Sequence, residues 1–213
     1  MTIKITHVHP TALGSDELSR RQAADMLQIS PGGMEKLYAS GYLPDLSAGR
    51  ILNLARRPFL RADGVQPVLR QAPAQIDPDP EREYMGEGAH LTDAQQLDAD
   101  RQWWRCDASQ VVTAGLLPVT VAGFVVTVLR IEGIEKQVRR IVQNRDGDPA
   151  AVEVRWSFDA TIAGRVRALG EPDRDYLAPG LEADERDAVV AMLAGRSSAR
   201  SGGPIAYLPQ VDS

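Results

Sequence analysis

The sequence predicts an α+β protein with a small helical head and a mixed body. Three observations support this fold class. Two capped helical segments lie close together between residues 18 and 41, apolar and polar residues alternate strictly over residues 152–159, and helix-like and strand-like segments follow one another without a regular β-α-β repeat. The chain has 213 residues, of which 43% are hydrophobic and 25% charged, so it is long enough for one or two folded domains.

Charge is distributed unevenly along the chain. The net charge is −5, yet residues 1–70 hold nine basic and six acidic residues, while the remainder holds 15 basic and 23 acidic ones. This balance excludes a protein that binds nucleic acid over its whole surface, and it indicates a basic head that could contact a polyanion. The single cysteine, Cys106, excludes an internal disulfide, a Cys-rich zinc site and an iron–sulfur cluster. We therefore expect a cytoplasmic protein without a metal or other cofactor.

The head begins with two short predicted helices. Ser19 and Gln22 form an S-x-x-Q capping box for the first helix. Ser30 and Pro31 supply the N-cap and the first helical residue of the second helix, which is predicted to end at Gly41. The residues predicted to face inward are Ala23, Met26 and Leu27 in the first helix and Met34, Leu37 and Tyr38 in the second. Because only about three residues separate the helices, they must cross steeply and form a helix-turn-helix.

A predicted β-hairpin over residues 43–54 follows the helix pair. Gly49 lies at its bend with Arg50 beside it, and Arg56, Arg57 and Arg61 come directly afterwards. A helix pair followed by a hairpin with a basic tip is a winged helix-turn-helix. The sequence therefore predicts a winged helix-turn-helix DNA-binding domain over residues 1–70.

Residues 18–61 resemble the excisionase and MerR-like winged-helix family. The matching positions are Leu18, Ser19, Ala23, Ala24, Leu27, Ile29, Ser30, Gly41, Leu43 and Pro44. The resemblance implies that the second helix, residues 31–40, enters the major groove of DNA and that residues 47–50 contact the neighbouring minor groove or phosphates. It assigns DNA contacts to Ser19, Arg20, Arg21, Ser30, Gly32, Gly33, Lys36, Arg50, Arg56, Arg57 and Arg61, with the basic side chains binding phosphates.

The first turn of the second helix departs from this pattern. Pro31, Gly32 and Gly33 have no side chain that can form a bidentate contact with a base. We therefore expect specificity to come from the wing, from DNA shape or from paired sites in an oligomer. Alternatively, this helix contacts protein instead of DNA.

Residues 71–90 are predicted to be an acidic, Pro-rich linker, and residues 91–213 an α+β domain for oligomerisation or for contact with a partner or ligand. The first predicted element of this body is a helix capped by Thr92 and Gln95 that carries Leu97, Trp103 and Trp104. Buried strands within residues 117–131, a short helix over residues 134–143 and a strand over residues 152–158 follow it. The last predicted element is a helix over residues 181–194, whose inward residues are Val189, Val190, Met192 and Leu193. An uncharged stretch between Asp107 and Arg130 leaves a membrane helix open, but its valines, threonines and Pro118 favour strands.

These observations predict a sequence-specific DNA-binding transcriptional regulator, either a repressor or an excisionase-like protein, that is not an enzyme. The resemblance implies a phage or mobile element as its source. The predicted partners are double-stranded DNA and further copies of the chain, with no membrane, because a single small module buries little DNA surface. Two alternatives stay open. The acidic body could act as a protein-interaction adaptor or inhibitor, and Asp146, Asp148 and Glu153 could form a metal-dependent nuclease site.

Overall fold

The computed structural model describes residues 17–78, 81–143, 149–199 and 203–211. These residues form a mixed β-sheet with helices packed against it, which confirms the predicted α+β fold class. The helices are α1 (Arg20–Leu27), α2 (Pro31–Ala39), α3 (Ala48–Ala55), α4 (Asp93–Asp100), α5 (Ala108–Ala114) and α6 (Ala183–Leu193). None of the helices within these ranges combines the length and the apolar content that crossing a bilayer requires.

Within the described ranges, the main sheet has seven strands. They are β1 (Pro67–Gln71), β4 (Gln102–Trp104), β5 (Leu116–Val121), β6 (Phe124–Gln143), β7 (Pro149–Arg165), β8 (Tyr176–Leu177) and β9 (Ile205–Tyr207), while β2 (Gln75–Ile76) and β3 (Tyr84–Met85) pair separately. Six strands lie in the order β4-β7-β6-β5-β1-β9, and β8 pairs with β7 beside this path. β1 and β5 pair in parallel, and the other pairs are antiparallel.

Strands β6 and β7 form a long hairpin that runs past its neighbours. β5 accompanies β6 only as far as Arg130, whereas β7 pairs with β6 as far as Gln143. The helix predicted over residues 134–143 is therefore wrong, because this stretch continues β6. Val138 and Ile141 have the spacing of a helical face, but they also have the β-branched side chains that strands favour, and pairing with β7 decides between the two.

The first two helices lie where the sequence predicts them. The Ser19 and Gln22 side chains form the predicted capping box, and the Ser30 hydroxyl accepts a hydrogen bond from the N–H of Gly33 at 3.0 Å. Met26 and Tyr38, predicted to face inward, are instead exposed.

The described residues 43–54 do not form the predicted wing. Residues 48–55 form α3 instead of the second half of a hairpin. Ala48, Ile51 and Leu54 are spaced by three residues and are all buried, so one face of a helix packs into the core. The sequence pattern of a hairpin and that of a short amphipathic helix overlap here, and burial of this face favours the helix.

One hydrophobic cluster joins the head to the body. Leu27, Leu37 and Ile51 from the three N-terminal helices belong to the same cluster as Val126 of β6 and Leu193 of α6. A second cluster packs the sheet against α5. The hydrophobic core therefore continues across the boundary predicted near residue 70.

The described residues of the predicted linker, 71–78 and 81–90, contain regular structure and buried side chains. They include β2 and β3, and the side chains of Arg82 and Glu87 are buried. Arg82 pairs with Asp77 at 2.5 Å, and the Tyr42 hydroxyl donates to Oε2 of Glu87 at 2.5 Å. This segment is held by contacts between polar side chains rather than by apolar packing. Its sequence is therefore rich in polar residues, as the sequence of a linker is.

Most other predictions for the body hold, with local differences. Thr92 and Gln95 cap α4, but Trp103 and Trp104 lie in β4 rather than in that helix. The strands predicted within residues 117–131 are β5 and the start of β6, and the alternating segment over residues 152–158 lies in β7. In α6, Val189 and Leu193 are buried, whereas Val190, predicted to face inward, is exposed.

Candidate functional site

A groove with a volume of about 760 Å³ opens at the start of α2. Its walls are the first turn of α2, the end of β1, the turn between β5 and β6, and residues 196–199. Lys36, Arg70 and Arg196 line it, and none of the described lining residues is acidic. In a chain with a net charge of −5, this groove is a local concentration of positive charge.

Gly32 and Gly33 of the first turn of α2 line the groove. The N–H of Gly33 is used by the Ser30 cap, Pro31 has none, and the N–H of Gly32 finds no acceptor among the described residues. A Cβ at Gly33 would lie 3.7 Å from Ala122, so this turn faces the body of the protein. At Gly32 nothing lies within 4 Å of such a Cβ. The partial positive charge of the helix N-terminus therefore adds to that of the cations.

A two-residue turn between β5 and β6 forms the adjoining wall. Ala122 and Gly123 have φ values of 50° and 88°, as a tight hairpin turn with two left-handed residues requires. A Cβ at Gly123 would lie 2.9 Å from the carbonyl oxygen of Ser197, and the N–H of Ser197 donates to the Gly123 carbonyl at 2.7 Å. This close approach fixes residues 196–198 against the turn.

Arg196 is a buried cation without a counter-charge among the described residues. Its exposed fraction is 4%, Nη2 donates to the Leu27 carbonyl at 2.5 Å, and Nε has no hydrogen-bond partner. Burial lowers its pKa, and the charge of Arg57 lowers it further. Because an unpaired buried charge is costly, an anion in the groove would stabilise this guanidinium.

Four of the predicted DNA-contacting residues line the groove together. They are Ser30, Gly32, Gly33 and Lys36. Sequence reasoning missed Arg196, which follows them by more than 150 positions and belongs to no motif. Ser201 and Gly202, a few residues after Arg196, lie outside the described part of the chain.

The other residues predicted near the helix pair do not gather in the groove. Ser19 caps α1, and Arg20 pairs with Glu35 at 2.8 Å and lies over the ring of Tyr38. Arg21, Arg56 and Arg61 are exposed. Arg61 donates to the Gln210 carbonyl at 3.4 Å.

Arg50 and Arg57 hold α3 to the body rather than extending from a wing. Arg50 pairs with Asp45 and with Glu171 at 3.1 and 2.7 Å and donates to the Leu169 carbonyl. Hydrogen bonds from Ser47 and then from Arg50 lower the pKa of Asp45 to about 2. Arg57 donates to the carbonyl of Leu193 at 3.0 Å. Both guanidinium groups are thus engaged within the chain, and their assignment as DNA contacts stays a prediction.

The residues considered for nuclease chemistry are in part outside the described chain. Asp146 and Asp148 are among the residues not described. Glu153 pairs with Arg105 at 2.7 Å and with Arg155 at 3.0 Å, and both contacts lower its pKa. The described residues contain no group of three or more His, Cys, Asp or Glu side chains placed to hold a metal ion.

The resemblance to the excisionase and MerR-like family stays a prediction, and so do double-stranded DNA and further copies of the chain as partners. No protein-family model matches this chain, and no curated protein or solved structure is significantly similar to it.

Proposed function

We propose that this chain binds a phosphate-bearing ligand in the groove at the start of α2. The observation that carries the proposal is Arg196, a buried guanidinium in the groove wall with no carboxylate partner among the described residues. Gly32 and Lys36 line the same groove, and they can supply a backbone N–H and an ammonium group. A phosphate group matches this set, because its oxygens accept hydrogen bonds from backbone N–H and guanidinium donors together.

A titration with inorganic phosphate tests the proposal. Phosphate is added at low ionic strength to ¹⁵N-labelled protein, and amide signals are followed by NMR. We expect the amides of Gly32, Gly33, Ser197 and Ser198 to shift together, because these residues line the groove. Chloride at matched ionic strength is the control and is expected to leave these signals unchanged.

Two pairs of variants test whether phosphate affinity depends on the charge in the groove. Gly32→Asp places a carboxylate in open space at the groove, and an acidic residue in the first turn is compatible with a helix. We expect it to weaken phosphate binding at least tenfold, whereas Gly32→Ala retains binding. Arg196→Gln is expected to weaken binding as well, and Arg174→Gln, an exposed arginine outside the groove, is not. Unchanged phosphate affinity in Gly32→Asp would show the proposal to be wrong.

The DNA-binding regulator predicted from the sequence is a second candidate, favoured by one observation. Arg21 and Lys36 are exposed on the helix pair and form no ion pair with the described residues, so they are available for DNA phosphates. Because the first turn of α2 faces the body, this candidate relies on phosphate contacts and DNA shape rather than on base contacts from that turn.

A gel-shift titration with duplex DNA fragments tests this candidate. We expect retardation at low salt that weakens steeply as salt rises, because bound phosphates release counterions. Arg21→Glu is expected to weaken retardation without changing the phosphate titration. Absence of retardation at low salt removes this candidate and leaves the phosphate site standing.

A further inference from the structure

Phe59 gives the groove a second chemical character beside its positive charge. The ring lines the groove and is 50% exposed, and the Cζ of Arg196 lies 4.9 Å from its centroid. The buried ring of Phe124 lies 4.7 Å from the same atom. The guanidinium therefore contacts an inner and an outer aromatic ring, and half of the outer ring remains open.

The backbone around Phe59 is fixed to the segment that carries Arg196. The N–H of Arg196 donates to the Pro58 carbonyl at 2.8 Å, and the N–H of Leu60 donates to the Arg196 carbonyl at 2.7 Å. Because the backbone on both sides of Phe59 is already fixed, stacking of a planar group on the ring requires little further ordering of the chain.

The groove is larger than a phosphate ion, and part of its lining is apolar. A volume of about 760 Å³ lies within the range of roughly 300–1,000 Å³ found for small-molecule sites. Ile29 and Ala122 contribute apolar surface, and Gln28 contributes an amide. A ligand that fills the groove thus has an anionic end and a flat, partly apolar end.

We infer that the ligand is a nucleoside phosphate unit, an inference that rests on the proposed phosphate site. The phosphate lies between the start of α2 and Arg196, and the base stacks on the open face of Phe59. Stacking of a base on an aromatic side chain is insensitive to base identity, because every base has a π-face. The unit can come from a free nucleotide or from a nucleic acid strand, which share this chemistry.

Ribose 5-phosphate and adenosine 5′-monophosphate are the probes that isolate the base. Both carry the same phosphate, so calorimetric titration of each against the full chain measures what the base adds. We expect the nucleotide to bind at least tenfold more tightly, in line with the roughly 1–3 kcal/mol measured for base stacking on aromatic side chains. Adenosine without phosphate is expected to bind more weakly than the nucleotide.

Variants at Phe59 test the stacking itself. Phe59→Leu is expected to abolish the advantage of the nucleotide over ribose 5-phosphate while leaving the affinity for ribose 5-phosphate within about twofold. Phe59→Trp is expected to restore the advantage, since it restores the aromatic face. Tyr207→Leu, at a comparably exposed aromatic residue outside the groove, is the matched control and is expected to change neither affinity.

A 5′-phosphorylated single-stranded oligonucleotide distinguishes the two sources. If it displaces the nucleotide and binds more tightly, the unit belongs to a nucleic acid strand; if it does not, the unit is a free nucleotide. Equal affinities for ribose 5-phosphate and the nucleotide in the unmodified chain overturn this inference and leave the phosphate site intact. Failure of inorganic phosphate and both probes to bind overturns the proposed function as well.

Discussion

Arg50 is the residue whose predicted and observed roles differ most. The sequence assigns it to a DNA-binding wing, whereas its side chain is largely buried and joins Asp45 to Glu171. We expect Arg50→Gln to lower the free energy of unfolding by about 1–3 kcal/mol, because charge-assisted hydrogen bonds within the chain are lost. We expect no change in phosphate binding, because Arg50 does not line the groove.

Urea unfolding and the phosphate titration measure these two outcomes. Arg174→Gln is the matched control, since the exposed Arg174 pairs with the same Glu171 at 2.8 Å. An exposed ion pair contributes little, so this control is expected to change stability by less than about 1 kcal/mol. Equal losses in the two variants contradict the structural role of Arg50.

Glu87 and Asp100 form a buried pair of carboxyl groups. The Tyr42 hydroxyl donates to Glu87 at 2.5 Å, and Nε2 of Gln96 donates to Asp100 at 3.0 Å. Burial raises the pKa of both carboxyls, and the charge of Glu87 raises the pKa of Asp100 further. The folded protein therefore keeps these protons at pH values at which the unfolded chain has released them.

This pair makes stability depend on pH. The stabilising contribution is complete below the ordinary carboxyl range and is lost as pH rises through the raised pKa values. We expect Asp100→Asn to reduce the loss of stability on going from acidic to alkaline pH, because the amide does not titrate. Urea unfolding at a series of pH values measures the slope, with Asp63→Asn, an exposed carboxyl, as the control. The same slope in Asp100→Asn and the unmodified chain rules out this role.

At the scale of elements, the turn between β5 and β6 positions residues 196–198 in the wall of the groove. Gly123 and Gly115 both have positive φ values, 88° and 70°. A Cβ at Gly123 would lie 2.9 Å from the Ser197 carbonyl oxygen, whereas a Cβ at Gly115 would have no atom within 4 Å. We expect Gly115→Ala to cost about 1–2 kcal/mol from left-handed strain alone. Gly123→Ala is expected to cost more and to weaken phosphate binding, because residues 196–198 must move. Thermal unfolding and the phosphate titration compare the pair, and equal costs without loss of binding refute the coupling.

Among the described strands, β6 beyond Arg130 pairs only with β7. Ile141 and Val152 face each other across the hairpin and are 67% and 63% exposed. A two-stranded ribbon without a covering layer is only marginally stable in water. We expect amide hydrogens at residues 136–141 to exchange faster than those at residues 125–129 of the same strand, which lie inside the sheet. Hydrogen exchange read out by NMR tests this, and uniform protection along β6 contradicts it.

The elements that the sequence predicts well are those with local chemical signals. The caps at Ser19, Ser30 and Thr92 mark the starts of α1, α2 and α4 because each side chain bonds to backbone within three residues. The failures need information from distant residues. α3 is helical because its apolar face packs into the core, and residues 134–143 are extended because β7 pairs with them.

At the scale of the whole molecule, the groove is assembled from segments far apart in sequence. Arg196 donates to the carbonyl of Leu27, a residue 169 positions away. Local patterns place Ser30, Gly32, Gly33 and Lys36 near one another, which is the part of the site that could be predicted. No local pattern indicates that β6 and the segment after α6 bring Phe124 and Arg196 to the same place.

The shared core predicts that head and body unfold together. Leu37 of α2 is fully buried in the cluster that contains Val126 and Leu193 of the body, whereas the three tryptophans all follow residue 100. Leu37→Ala is expected to cost about 2–5 kcal/mol, as truncation of a buried leucine does. Because the core is continuous, we expect the midpoint reported by tryptophan fluorescence to fall by the same amount as the midpoint reported by far-UV circular dichroism. Val190→Ala, an exposed apolar position in α6, is the control and is expected to move both midpoints little. A tryptophan midpoint that does not respond to Leu37→Ala indicates a head that folds independently of the body.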